Sequence, residues 1–142
     1  RWPSRRARGD GGIGSMEIDL PDVVAEVREA FERYEQALVG NDVAALDGFF
    51  RDDPRTLRYG VSENLYGYSE IKAFRAARSP INLARTRSKT VITTYGRDFA
   101  VASTLFQRTP AKVGRQMQTW VRFPEGWRVV AAHVSLIDAP AA

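Results

Sequence analysis

From Pro21 onward the apolar positions recur at steps of three and four. Val23, Val27, Ala30, Phe31, Tyr34 and Leu38 form one stripe, which predicts an amphipathic helix. Asp19, Asp22 and Glu26 crowd its start, where the helix dipole favours anions, and Gly40 supplies a stop signal. Asn41 or Asp42 can cap a second, short helix carrying Val43, Leu46, Phe49 and Phe50, broken by Asp52-Asp53-Pro54. Residues 56–60 (TLRYG) read as a short strand, with Thr56, Arg58 and Gly60 on one face and Leu57 and Tyr59 on the other. A third helix follows, with Ser69 as cap, Ile71, Phe74 and Ala77 facing inward, and Ser79-Pro80 as its end. Beyond Pro80 the period changes to two. Residues 89–96, 99–108, 115–123 and 127–137 predict four long strands joined by short turns, an antiparallel meander.

Helices first and strands last predict an α+β domain, with the helices packed on the concave face of a curved antiparallel sheet. So few strands cannot close on themselves, so a pocket is expected at the open end beneath the first helix. The convex side must also be hidden. Trp120, Val130, Val134 and Leu136 offer apolar material for it, which predicts a homodimer formed sheet to sheet.

Charge changes the picture in one respect. The net charge is +4, but residues 1–15 hold four arginines against one aspartate, leaving +1 for residues 16–142. The high pI therefore belongs largely to the first stretch, which is read as a disordered or appended leader preceding a single domain over 16–142. It has no apolar core of the kind a secretory signal carries. A near-neutral domain offers no basic stripe for nucleic acid. No apolar run approaches the length that spans a bilayer, so no membrane partner is expected and a cytoplasmic location is the default. One histidine and no cysteine leave no thiolate or mixed nitrogen–sulfur metal cluster, and no nucleophile-elbow, dinucleotide or phosphate-loop motif is present.

Several long segments carry a family resemblance: AFERYEQAL, TLRYGVSENLYGY, IKAFRAAR, TVITTYGRDFA and GWRVVAAHVSLI. Together they resemble the AtzH-like (HpxZ-like) family, within the cone-shaped α+β barrels of the SnoaL-like and nuclear transport factor two superfamily. The resemblance runs over about residues 16–137. It implies a cofactor-independent decarboxylase converting 1,3-dicarboxyurea to allophanate, in s-triazine (cyanuric acid) or purine nitrogen catabolism, encoded near an amidase that is a candidate partner. It also implies a catalytic pair, the tyrosine of FERYE and the arginine of LRYG, which are Tyr34 and Arg58 here. Fold identity alone would not carry that function, since the superfamily hosts both enzymes and binding domains.

The residues themselves leave alternatives open. Tyr34 lies in the apolar stripe, so it is either a core tyrosine or a donor facing the pocket. Arg58 is either an edge ion-pair arginine or an anchor, whose planar fork suits a carboxylate. Arg115 shares a strand face with Met117 and Thr119, where it can bind a second carboxylate or sit at the rim. His133, alternating with Ala131 and Ser135, either packs in the core or lines the pocket. Glu63 and Asn64 follow the Arg58 strand and can close the pocket or fix Arg58. The two functional classes are thus a metal-free, cofactor-free decarboxylase of a small ureido carboxylate, and a non-catalytic carboxylate-binding accessory of an amidase.

Overall fold

The computed structural model describes residues 16–80 and 83–141. The leader expected at residues 1–15 lies outside them. The elements run α1 (Pro21–Val39), α2 (Val43–Phe49), β1 (Leu57–Tyr59), β2 (Asn64–Tyr66), α3 (Tyr68–Ala77), β3 (Thr86–Tyr95), β4 (Phe99–Gln107), β5 (Lys112–Phe123) and β6 (Gly126–Asp138). The strands form one sheet in the order β2-β1-β6-β5-β4-β3. All neighbours are antiparallel except β1, which runs parallel to β6. This is the α+β curved sheet expected, extended by a short hairpin. Strand β2 is the element the periodicity did not announce, because three residues are too few to show a period.

Helix α1 buries Val23, Val27, Phe31, Tyr34 and Leu38, the stripe read from the sequence. Its end differs in detail: Gly40 stays right-handed with φ −86, and Asn41 takes the left-handed conformation at φ 50, which asparagine tolerates. Asp42 caps α2 by accepting from the Ala45 amide at 3.1 Å. The N-cap of helix α3 is Gly67, not Ser69, and no side chain caps it. Ile71 is buried there, but Ala77 is exposed.

Three expectations about facing are corrected, at Trp120, Val134 and Leu136, the last of which lies opposite buried Gly114 and in phase with Val134. Trp120 is fully buried and meets Tyr34 and Phe49 edge-on at 6.3 and 6.0 Å, so it belongs to the concave core. Val134 faces the concave side as well, lining the cavity described below. The cause is a bulge. Thr119 pairs with Ala131 while Trp120 pairs with Val129, so Val130 is an extra residue in β6 and reverses the alternation beyond it. Without it Val129 and Val134 would point to opposite faces. The convex face instead presents the paired rows Val101–Thr119–Ala131 and Ser103–Met117–His133, with Met117 and Val91 each 55% exposed.

Helix α1 is tied to the sheet by ions as well as by apolar packing. Arg87 bonds Glu32 at 2.7 Å and Arg97 bonds Asp22. The inner pair, Arg85–Glu35, is described with the cavity it borders.

Candidate functional site

Between α1, α3 and the open end of the sheet lies a cavity of about 320 Å³, lined by Tyr34, Arg58, Glu63, Arg78, Arg85, Arg108 and Gln116 among apolar side chains. That size falls at the small end of ligand pockets, ~300–1,000 Å³. The tyrosine and the arginine arrive by separate routes. Tyr34 comes from the buried stripe of α1, its ring held against Phe49 at 5.9 Å and Phe50 at 6.1 Å. Its side chain is 4% exposed, and its hydroxyl makes no hydrogen bond to a described residue. Arg58 comes from β1, where parallel pairing sets it beside buried Ala132 and sets Tyr59 beside His133. Alternation on that strand therefore sends Arg58 to the concave side and Tyr59 to the convex side, where its ring stands 6.1 Å from that of His133.

Arg58 is partly neutralised. Its Nη1 donates to Glu63 Oε2 at 2.7 Å, and the Ser62 amide donates to Glu63 Oε1 at 3.1 Å. Burial alone would raise the Glu63 carboxyl, but the bonds from Arg58 and Ser62 outweigh it and hold the group below its ordinary value. Gly60 makes this fold-back possible. A Cβ there would lie 1.8 Å from Glu63 Oε2 and 2.9 Å from Arg58 Nη1, so any side chain at position 60 would displace the pair. The RYGVSE sequence is thus a local device for holding a carboxylate over the arginine, with the rest of the Arg58 fork left for another anion.

The far wall was not read from the sequence. Arg85 is 2% exposed and forks onto Glu35 at 2.6 and 2.5 Å, while its Nη2 also donates to Gln116 Oε1 at 2.9 Å. Phe106 lies beneath two guanidinium groups, 4.4 Å from Arg85 and 5.0 Å from Arg108. Its ring covers Gly114, where a Cβ would come within 2.1 Å of it. The signal for this wall was Glu35 itself, an acid four residues after Phe31 on an otherwise apolar stripe.

The other candidate residues do not join this cavity. Arg115 and His133 are exposed and line a hollow of about 610 Å³ on the convex face with Met117. Arg115 there donates to Ser135 Oγ at 3.0 Å. Asn64 is exposed in β2, paired with Tyr59. The buried face of β5 is Gly114, Gln116, Gln118 and Trp120, which sets Arg115, Met117 and the His133 paired with it on the opposite face. No cluster of three or more metal-ligating side chains occurs among the described residues.

A sequence model of the AtzH-like family matches residues 16–140. The chain belongs to the AtzH-like family. Among solved structures, this AtzH-like chain is 62% identical to a protein of unknown function from Pectobacterium atrosepticum, with a TM-score of 0.83 over 84% of this chain and 94% of that one. It is 48% identical to a cystatin-like fold protein from Burkholderia xenovorans, with a TM-score of 0.84 over 89% of this chain and the whole of that one. An NTF2-like protein of unknown function from Pseudomonas putida shares the fold at 19% identity, with a TM-score of 0.68 over 85% and 89% of the two chains. No curated protein matches the chain.

Proposed function

We propose that this AtzH-like protein is a cofactor-independent decarboxylase of a small N-carboxylated ureido acid, of the 1,3-dicarboxyurea-to-allophanate type. The observation that carries this reading is the meeting of the Tyr34 side chain and the Arg58 guanidinium in one small cavity, on top of membership of the AtzH-like family. Arg58 anchors a substrate carboxylate through the part of its fork that Glu63 does not occupy. Tyr34 is the proton donor. A tyrosine hydroxyl is an O–H donor, and that of Tyr34 is not engaged by a described residue. In the reaction the bond between nitrogen and the departing carboxylate breaks and its electron pair stays on nitrogen. The nitrogen takes the proton from Tyr34, carbon dioxide leaves, and the phenolate regains a proton from solvent. The direct test is carbon dioxide release from freshly generated 1,3-dicarboxyurea, measured against the rate without protein, because carbamates lose carbon dioxide unaided.

A second reading, a non-catalytic carboxylate-binding partner of an amidase, has one observation in its favour. Among the described residues Glu63 is the sole carboxylate lining the cavity, and it is tied to Arg58, so no acid–base pair of described residues stands there beside Tyr34. Binding without turnover would support that reading.

We also infer that the convex face packs against a second copy of this chain. Met117 stands at the centre of that face, between Ser103 and His133, and is 55% exposed. Met117→Glu should convert a dimer into a monomer at micromolar concentration, checked by light scattering, because it would set two like charges in an apolar contact. A wild-type monomer would contradict the inference. Trp120 is unsuitable for this test, since it lies in the core on the other face.

A further inference from the structure

We propose that Arg78, Arg108 and Gln116 form a second anion subsite in the cavity that also holds Arg58, so that the site selects small dianions over monoanions. The proposal rests on the decarboxylase reading for the chemistry, but its geometry is separate. Four guanidinium groups line the cavity. Two of them are matched by carboxylates: Arg58 by Glu63 and Arg85 by Glu35. Arg78 and Arg108 have no carboxylate partner among the described residues. Arg78 has a long contact to Asn41 Oδ1 at 3.4 Å, and its buried Nε makes no hydrogen bond. Arg108 rests on the Phe106 ring. Among the described lining residues there is therefore an excess of two positive charges, with Arg78 half-buried and Arg108 exposed at the mouth, and a half-buried guanidinium without a carboxylate is stabilised by a bound anion.

Gln116 gives the second, independent indication. It is 3% exposed. Its Oε1 must face Arg85, because the flipped amide would set a donor against a donor. That fixes Nε2 as the remaining donor, and Nε2 is buried with no partner. A buried amide nitrogen without an acceptor costs free energy until something accepts from it, and an oxygen of a ligand in the cavity would do so. The electrostatics agree. Burial, reinforced by the neighbouring Arg75, lowers the proton affinity of Arg78 below the ordinary arginine value. Partial desolvation and the neighbouring Arg85 and Arg78, against Glu35, act the same way on Arg108, which is otherwise exposed. Both effects are relieved by a bound anion.

The two subsites are chemically unequal, and this assigns the ends of the substrate. A carboxylate that departs as carbon dioxide loses its charge in the transition state, so a strong cation on it would favour the ground state. Arg58, offset by Glu63, suits the departing end. Arg78 and Arg108, which lack an offsetting carboxylate, suit the carboxylate that is retained.

The test uses two stable probes that differ by one carboxylate group, glutarate and butyrate, titrated calorimetrically into the full-length protein at one ionic strength. Wild type should bind glutarate about tenfold more tightly than butyrate, the scale of one charge-assisted hydrogen bond. Arg108→Gln and Arg78→Gln should each remove most of that preference, read as the ratio of the two affinities. Arg108 is exposed, so its variant keeps the test valid if the Arg78 variant folds poorly. Arg58→Gln should weaken both probes. Equal affinity for the two probes in wild type, with butyrate lost in Arg58→Gln, would overturn the second subsite and leave the Arg58 site standing. Equal losses for both probes in Arg108→Gln would also overturn it. Binding of neither probe would overturn both the subsite and the carboxylate reading beneath it.

Discussion

Tyr34→Phe should lower the turnover number for decarboxylation by about 10²-fold or more, with little change in KM and an intact fold. The substitution removes one oxygen and leaves the ring, which Phe49, Phe50 and Trp120 hold at 5.9, 6.1 and 6.3 Å. Those contacts are retained by phenylalanine. The hydroxyl makes no hydrogen bond to a described residue, so no buried partner is left without its mate, and the stability change should stay below about 1 kcal/mol. A loss confined to kcat marks an interaction made in the transition state, whereas a rise in KM alone would mark uniform binding. Initial rates over a range of substrate concentration, with a thermal melt of the same sample, separate the two. An unchanged kcat would return Tyr34 to the core as a packing residue.

Glu35→Ala should destabilise the fold by about 3–5 kcal/mol, measured by denaturant unfolding. Arg85 is 2% exposed and Glu35 8%, so the pair has little water to compensate either charge. Truncating the acid leaves a buried guanidinium with only Gln116 Oε1 and the Phe106 face, and the cost is that of the orphaned cation, not of the pair. The double variant Glu35→Ala, Arg85→Leu should therefore recover a large part of the loss, because removing both charges from an apolar setting is often close to neutral. A single-variant loss below about 1 kcal/mol would show that water reaches Arg85 readily.

The sequence was legible where one rule governed a whole element. The α1 stripe followed from periodicity, since the helix is long, whereas alternation grouped Arg58 with Thr56 and Gly60 without saying which face turns inward, and the pairing of β1 beside β6 supplies that. The facing of β5 and the end of β6 was not legible, for two physical reasons. Gln116 and Gln118 are buried polar residues whose oxygens accept from Arg85 at 2.9 Å and Trp120 at 3.1 Å, so the buried face of β5 looks like a solvent face. The Val130 bulge then shifts the phase of β6 with no glycine or proline to announce it. The cavity's arginines were illegible for another reason. Arg78 comes from the end of α3 and Arg108 from beyond the end of β4, and only the tertiary fold brings them to one place. Glu63 lay within reach of sequence reasoning, and Gly60 two positions after Arg58 was the local clue.

Whether the protein catalyses or only binds is decided most directly by carbon dioxide release from freshly generated 1,3-dicarboxyurea, followed for wild type, for Arg58→Ala and without protein. Wild type should exceed the rate without protein, and Arg58→Ala, lacking the guanidinium that anchors the carboxylate, should fall back to that rate. Equal release from all three samples would contradict the decarboxylase assignment.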